Sequence, residues 1–73
     1  MVTDQGMIDV RINGHERNVP TGLAVADLLE WLDLNAALVV VELNREILDR
    51  ARYGEIVVRE NDCLELVHFV GGG

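Results

Sequence analysis

The chain has 73 residues, 13 of them Asp or Glu against 6 Arg, no Lys and a net charge of −7. This length fits one domain that hides only ~60% of its unfolded surface, leaving few residues for a catalytic cleft. The acidity argues against nucleic acid and for a basic protein partner or simple solubility, while one Cys excludes an intramolecular disulfide framework and points to a reducing, cytoplasmic compartment.

Met1 to Gly6 has no periodicity and no basic cluster, and reads as a flexible N-terminal extension rather than a signal peptide. Ile8, Val10 and Ile12 then alternate with Asp9, Arg11 and Asn13, the pattern of a half-buried strand. Asn13-Gly14 is a strong hairpin signal because both residues tolerate positive φ, and His15 to Val19 is the return strand, ended by Pro20, Thr21 and Gly22. Val25, Leu28, Leu29 and Leu32 share one face of a helix of about ten residues. That helix lacks a Ser, Thr, Asp or Asn cap at Leu23 or Ala24; Thr21 is the nearest candidate, and Asn35 is the candidate terminator.

Leu38 to Leu43 is apolar except for Glu42 and is expected to be a central strand, buried on most of both faces. The run from Ala36 to Val41 is far short of the ~20 residues of a membrane span. Asn44-Arg45 is a weaker turn, Ile47-Leu48 a very short strand, and Asp49 to Tyr53 a loop or one helical turn. Ile56 to Val58 is a short apolar patch, and Glu60 to Asp62 a turn. Cys63 to Val70 is the last strand, with Leu64 and Leu66 facing one way and Cys63, Glu65, Val67 and Phe69 the other. One helix on a mixed four- or five-stranded sheet is the economical α+β packing of these elements, which is the β-grasp, or ubiquitin, architecture. The expected organisation is an extension over 1–6, the β-grasp domain over 7–70 and a flexible glycine tail over 71–73.

Catalytic constellations are missing. Cys63 and His68 are an odd number of residues apart on one strand, so they face opposite sides and cannot act as a nucleophile pair. No spacing of His and Cys suits a metal. Asp27 and Glu30 read as a solvated helix face, and Cys63 as a small filler. What remains is Gly71, Gly72 and Gly73, directly after a strand. They read either as a frayed tail or as a side-chain-free peptide that can thread a narrow channel, four extended residues reaching ~13 Å. Val67 to Gly73 also carries no acidic side chain. Val67, Phe69 and Val70 beside the glycines either pack under the edge of the sheet or form a candidate apolar anchor for a protein partner.

The order of these segments resembles the ThiS family, the sulfur carriers of thiamine biosynthesis. The carrying residues are Ile12-Asn13-Gly14, Val19-Pro20-Thr21-Gly22, Val25 to Leu29 with Leu32, Val39 to Asn44, Glu46-Ile47, and Asp62 to Gly73 (DCLELVHFVGGG). Ala24 departs from the pattern where a capping Thr is frequent, as do Arg45 and Asn61 where turn glycines are common. The resemblance implies that Gly73 is the reacting residue, its carboxylate adenylated by a ThiF-type enzyme that uses ATP and magnesium. It also implies no cofactor bound to this chain, with Gly72 and Gly71 giving the tail access. A persulfide derived from a cysteine desulfurase then supplies sulfur, and the resulting thiocarboxylate serves thiazole synthase, ThiG. Such a chain is a macromolecular cosubstrate rather than an enzyme. Sulfur carriers of the same fold serving molybdopterin, tRNA thiolation or cysteine synthesis, and a plain interaction module, are the competing readings.

Overall fold

The structure, a computed structural model, describes residues 6–69; residues 1–5 and 70–73, and with them most of the expected extension and the whole glycine tail, lie outside the described residues. Five strands form one sheet in the order β2-β1-β5-β3-β4: β1 (Met7–Ile12), β2 (His15–Pro20), β3 (Val39–Leu43), β4 (Glu46–Ile47) and β5 (Cys63–His68). The β1–β5 pairing is parallel and the others antiparallel. One helix, α1 (Val25–Trp31), covers one face.

The hairpin forms where both turn residues accept the left-handed region: φ is 52° at Asn13 and 83° at Gly14. This aligns Ile12 with His15 and Val10 with Arg17, so Val10, Ile12 and Val19 turn inward together. Gly6, assigned from sequence to the extension, accepts a hydrogen bond from the Thr21 backbone and so closes the open end of the hairpin.

The helix is shorter than expected, at seven residues, and its ends are made differently. Ala24 is the N-cap and offers no side-chain acceptor; only the Asp27 carboxylate reaches back, accepting the Ala24 N–H at 3.3 Å. The next two orphan donors are taken by a neighbouring segment, Val25 N–H by the Ile56 carbonyl at 2.8 Å and Ala26 N–H by the Tyr53 carbonyl at 2.9 Å. A capping Thr is dispensable because backbone from the 53–58 region supplies the acceptors. At the other end Asp33, not Asn35, takes the left-handed turn, with φ 66°. Its N–H bonds the Glu30 carbonyl and Leu34 N–H bonds the Leu29 carbonyl, the paired bonds of a Schellman motif. Asn35 instead caps the following single 3₁₀ turn, accepting from Ala37 N–H at 2.9 Å.

Val25, Leu28 and Leu29 are fully buried against Val10, Ile12, Val19, Val39, Val41, Leu64 and Leu66. Leu32, expected on the same stripe, lies just past the helix and is only partly buried. Tyr53 enters this core from the end of a second 3₁₀ turn, Arg50–Arg52. Its hydroxyl donates to the Val39 carbonyl at 2.9 Å and accepts from the Val41 N–H at 3.1 Å. The Ile56 to Val58 patch runs beside the helix start, where Val57 bridges Ala24 and Val58 is buried.

Two expectations need correction. β3 is interior but not central; β5 occupies the centre, because it alone pairs with both β1 and β3. Nor is β3 buried on both faces: Val39 and Val41 are buried, whereas Val40 and Glu42 are only partly covered, since none of the described elements packs on the side opposite the helix.

Candidate functional site

The site is built around the end of β5, from which the glycines continue. β5 is gripped at both ends by the side chains of two turn asparagines. At its start, Asn44 (φ 50°) donates its backbone N–H to the Cys63 carbonyl at 2.8 Å and accepts the Cys63 N–H on its Oδ1 at 2.9 Å. Its Nδ2 donates to the Asp62 carboxylate at 3.1 Å. At the other end, Asn13 Oδ1 accepts the Leu66 N–H at 2.7 Å and its Nδ2 donates to the Leu66 carbonyl at 3.2 Å. A single carboxamide thus plays the part of a strand residue beyond the point where β1 turns away.

The last residues of the strand lean on β3. Val67 pairs with Val40 and His68 with Val39, and the Phe69 N–H donates to the Leu38 carbonyl at 2.8 Å. Arg50 braces that part of β3: its guanidinium donates to the Ala36 and Val39 carbonyls, both at 3.2 Å, and stacks 6.0 Å from the Tyr53 ring centre.

β5 alternates as expected. Leu64 and Leu66 are buried, while Val67 is 53% and Phe69 54% exposed on the uncovered face. Val70, the third expected anchor residue, and the reacting and access residues Gly73, Gly72 and Gly71 lie outside the described residues. Cys63 is exposed on the uncovered face, while His68, the register partner of buried Val39, turns to the helix side. The pair is therefore separated by the sheet. On the helix side His68 borders a groove with Ile12, Arg17, Trp31, Leu34 and Leu66.

The uncovered face divides in two. Over β2 and β1 its polar groups satisfy one another: Arg11 pairs with Glu16 at 3.3 Å, and the Asn18 amide donates to Asp9 at 2.8 Å. Over β5, β3 and β4 the register lines up Val67 with Val40 and Glu65 with Glu42, and Glu42 in turn with Ile47. Ile47 is 73% exposed. The Glu42–Glu65 opposition costs ~0.2–1 kcal/mol relative to a neutral pair, and neither carboxylate has an ion-pair partner among the described residues. An apolar strip of Val40, Val67, Phe69 and Ile47 edged by two unpaired carboxylates is the form of a surface awaiting a partner with apolar and cationic groups.

Sequence reading found Val67 and Phe69 by alternation but not Val40 and Ile47, which join the strip only through cross-strand register. It also missed the Asn13 carboxamide, because Asn-Gly is fully explained as a turn before any side-chain role is considered.

Comparison with known proteins agrees with this arrangement. The family model described as "ThiS family" matches residues 10–73. The sulfur carrier protein ThiS of Bacillus subtilis is 45% identical over 49 residues, covering 67% of this chain and 74% of that one. A crystal structure of a thiamine biosynthesis protein (ThiS) from Geobacter metallireducens superposes with a TM-score of 0.78 at 35% identity, covering 90% of this chain and 100% of that one. A thiazole synthase of Magnetococcus marinus is 38% identical over 64 residues, 88% of this chain but 20% of the synthase, so the chain spans about a fifth of that relative's length.

Proposed function

The chain belongs to the ThiS family, and from that premise we propose that it carries sulfur for thiamine thiazole synthesis as a cosubstrate rather than a catalyst. The reacting group is the Gly73 carboxylate. A carboxylate resists nucleophiles through resonance and charge. A ThiF-type enzyme, holding ATP and magnesium, therefore first joins it to AMP and releases pyrophosphate. The terminal sulfur of a persulfide, supplied by a cysteine desulfurase, attacks the acyl carbon and AMP leaves. A second thiol then cleaves the acyl disulfide, leaving a thiocarboxylate on Gly73. Thiazole synthase takes that sulfur, and the carrier returns as carboxylate. Gly72 and Gly71 admit the tail to the active sites of both enzymes. All of this chemistry suits the cytoplasm, where ATP and persulfide donors meet.

The observation that supports the reading most is the apolar strip of Val40, Val67 and Phe69 beside the exit of β5, with Glu42 and Glu65 at its edge and without an ion-pair partner among the described residues. A partner docked there sits beside the end of β5, after which Val70 and the glycines follow in sequence. Cationic groups on the partner would relieve the carboxylate opposition, so association should weaken as salt rises.

The test is made on the peptide that follows Arg59, which contains one Cys and no Met. This choice matters because replacing oxygen by sulfur adds ~16 Da, as methionine oxidation also does. After incubation with ATP, magnesium, a ThiF-type enzyme and a sulfur donor, the peptide should be heavier and take a thiol-selective alkylator at two sites. An unmodified peptide, alkylated at Cys63 alone by an enzyme active on another carrier, would refute the proposal.

A further inference from the structure

We propose that Asn13 is a positioning residue for the transfer reactions: its carboxamide fixes the direction in which the chain leaves β5. The inference rests on the sulfur-carrier reading above and adds a residue that does not touch the reacting atoms.

The argument starts from which way the Leu66 peptide groups point. Opposite Leu66 in β3 is Val41, whose own N–H goes to Tyr53 Oη and whose carbonyl accepts from Leu48 N–H at 2.9 Å. Val41 therefore spends both groups on its far side, and the Leu66 N–H and carbonyl face the β1 side. Along β1 the ladder reaches only Leu64, whose carbonyl accepts the Asn13 N–H at 2.9 Å. The chain then turns into β2. Without the Asn13 side chain the partly buried Leu66 groups lose their protein partner, and β5 is held from one side only just where it must project. The 2.7 Å bond from Leu66 N–H and the 3.2 Å bond to its carbonyl close that gap. Among the described residues the strand is held on both sides through Leu66 and on the β3 side alone over Val67 to Phe69, so Leu66 is the pivot for the end of the strand. Reactions at an enzyme-bound acyl group are steeply sensitive to such aim, and a misplacement of ~1 Å can cost on the order of a hundredfold in rate.

The fold supplies its own control. Asn44 has the same turn conformation (φ 50°) and also bonds a β5 amide, but at Cys63, the end away from the glycines. Asn13→Gly and Asn44→Gly each keep a residue at ease with positive φ and remove only the carboxamide.

Both variants and the wild type are assayed for ATP-dependent adenylation by a ThiF-type enzyme, with carrier concentration varied, together with amide hydrogen exchange. Asn13→Gly is expected to lower kcat by on the order of tenfold while KM stays within about twofold, because the docking strip on the opposite side of the sheet is untouched. Its Leu66 amide should exchange faster, marking the lost bond. Asn44→Gly should speed exchange at Cys63 and leave kcat and KM near wild type. A folded Asn13→Gly with wild-type kcat, or equal kcat losses in both variants, would overturn the inference while leaving the carrier reading intact. A wild-type chain that is not adenylated by an enzyme active on another carrier would instead overturn that reading, and this inference with it.

Discussion

The helix-facing side of the sheet buries Val10, Ile12, Val19, Val39, Val41 and Leu64 to 5% exposure or less, whereas the opposite side leaves Val67, Phe69 and Ile47 at 53%, 54% and 73%. Along β3 and β5 both sides carry aliphatic residues at alternate positions. They differ in what covers them: α1 seals one, and nothing in the chain's described residues seals the other. An apolar side chain on the first face contributes to folding. The same kind of side chain on the second gains little from folding and is free to contribute to association.

If that division is right, Leu28→Ala gives the largest effect. Leu28 is fully buried at the helix–sheet contact, and its truncation should destabilise by ~2–5 kcal/mol through a cavity, read as a lowered midpoint in thermal or denaturant unfolding. Tyr53→Phe comes next. It keeps the packing but strands the Val41 N–H in the core and leaves the Val39 carbonyl only its bond from Arg50, for ~1–3 kcal/mol; a melting curve superimposable on wild type would show that the Val41 N–H does not depend on the hydroxyl. Phe69→Ser should come last in stability, at ~1 kcal/mol or less. Yet it should raise KM for adenylation by on the order of tenfold if the ring anchors a partner. An unchanged KM would remove the exposed face from the docking surface and blur the contrast between the two sides.

Much of this arrangement was legible in the residues, for reasons that differ by element. The Asn13-Gly14 hairpin was readable because few residues tolerate positive φ, and the helix stripe because Val25, Leu28 and Leu29 must share a face. The faces of β5 followed from strict alternation. Its central place did not, because alternation reports what lies above and below a strand, whereas sheet order is decided by hydrogen bonds in the plane. The helix end at Asp33 was hidden because Asp is only an occasional occupant of the left-handed region. Asp49 to Tyr53 reads as a loop or one helical turn, and the turn is present, but the burial of Tyr53 was hidden because one aromatic in a polar segment has no period to betray it. By contrast, the family resemblance singled out Arg45 and Asn61, and both carry the left-handed backbone (φ 75° and 70°) that glycine would adopt without strain.

The parallel pairing of β1 with β5 also sets the order of events in the life of the chain. Asn13 and Leu66 lie 53 positions apart in sequence, so their contact closes almost the entire polypeptide into one loop, and pairings of this kind are slow to form. During synthesis the hairpin and helix emerge first, but the middle of the sheet stays vacant until the last strand leaves the ribosome. The strand that precedes the glycines is thus the keystone of the fold. A chain truncated before β5 would leave β1 and β3 without the strand that joins them.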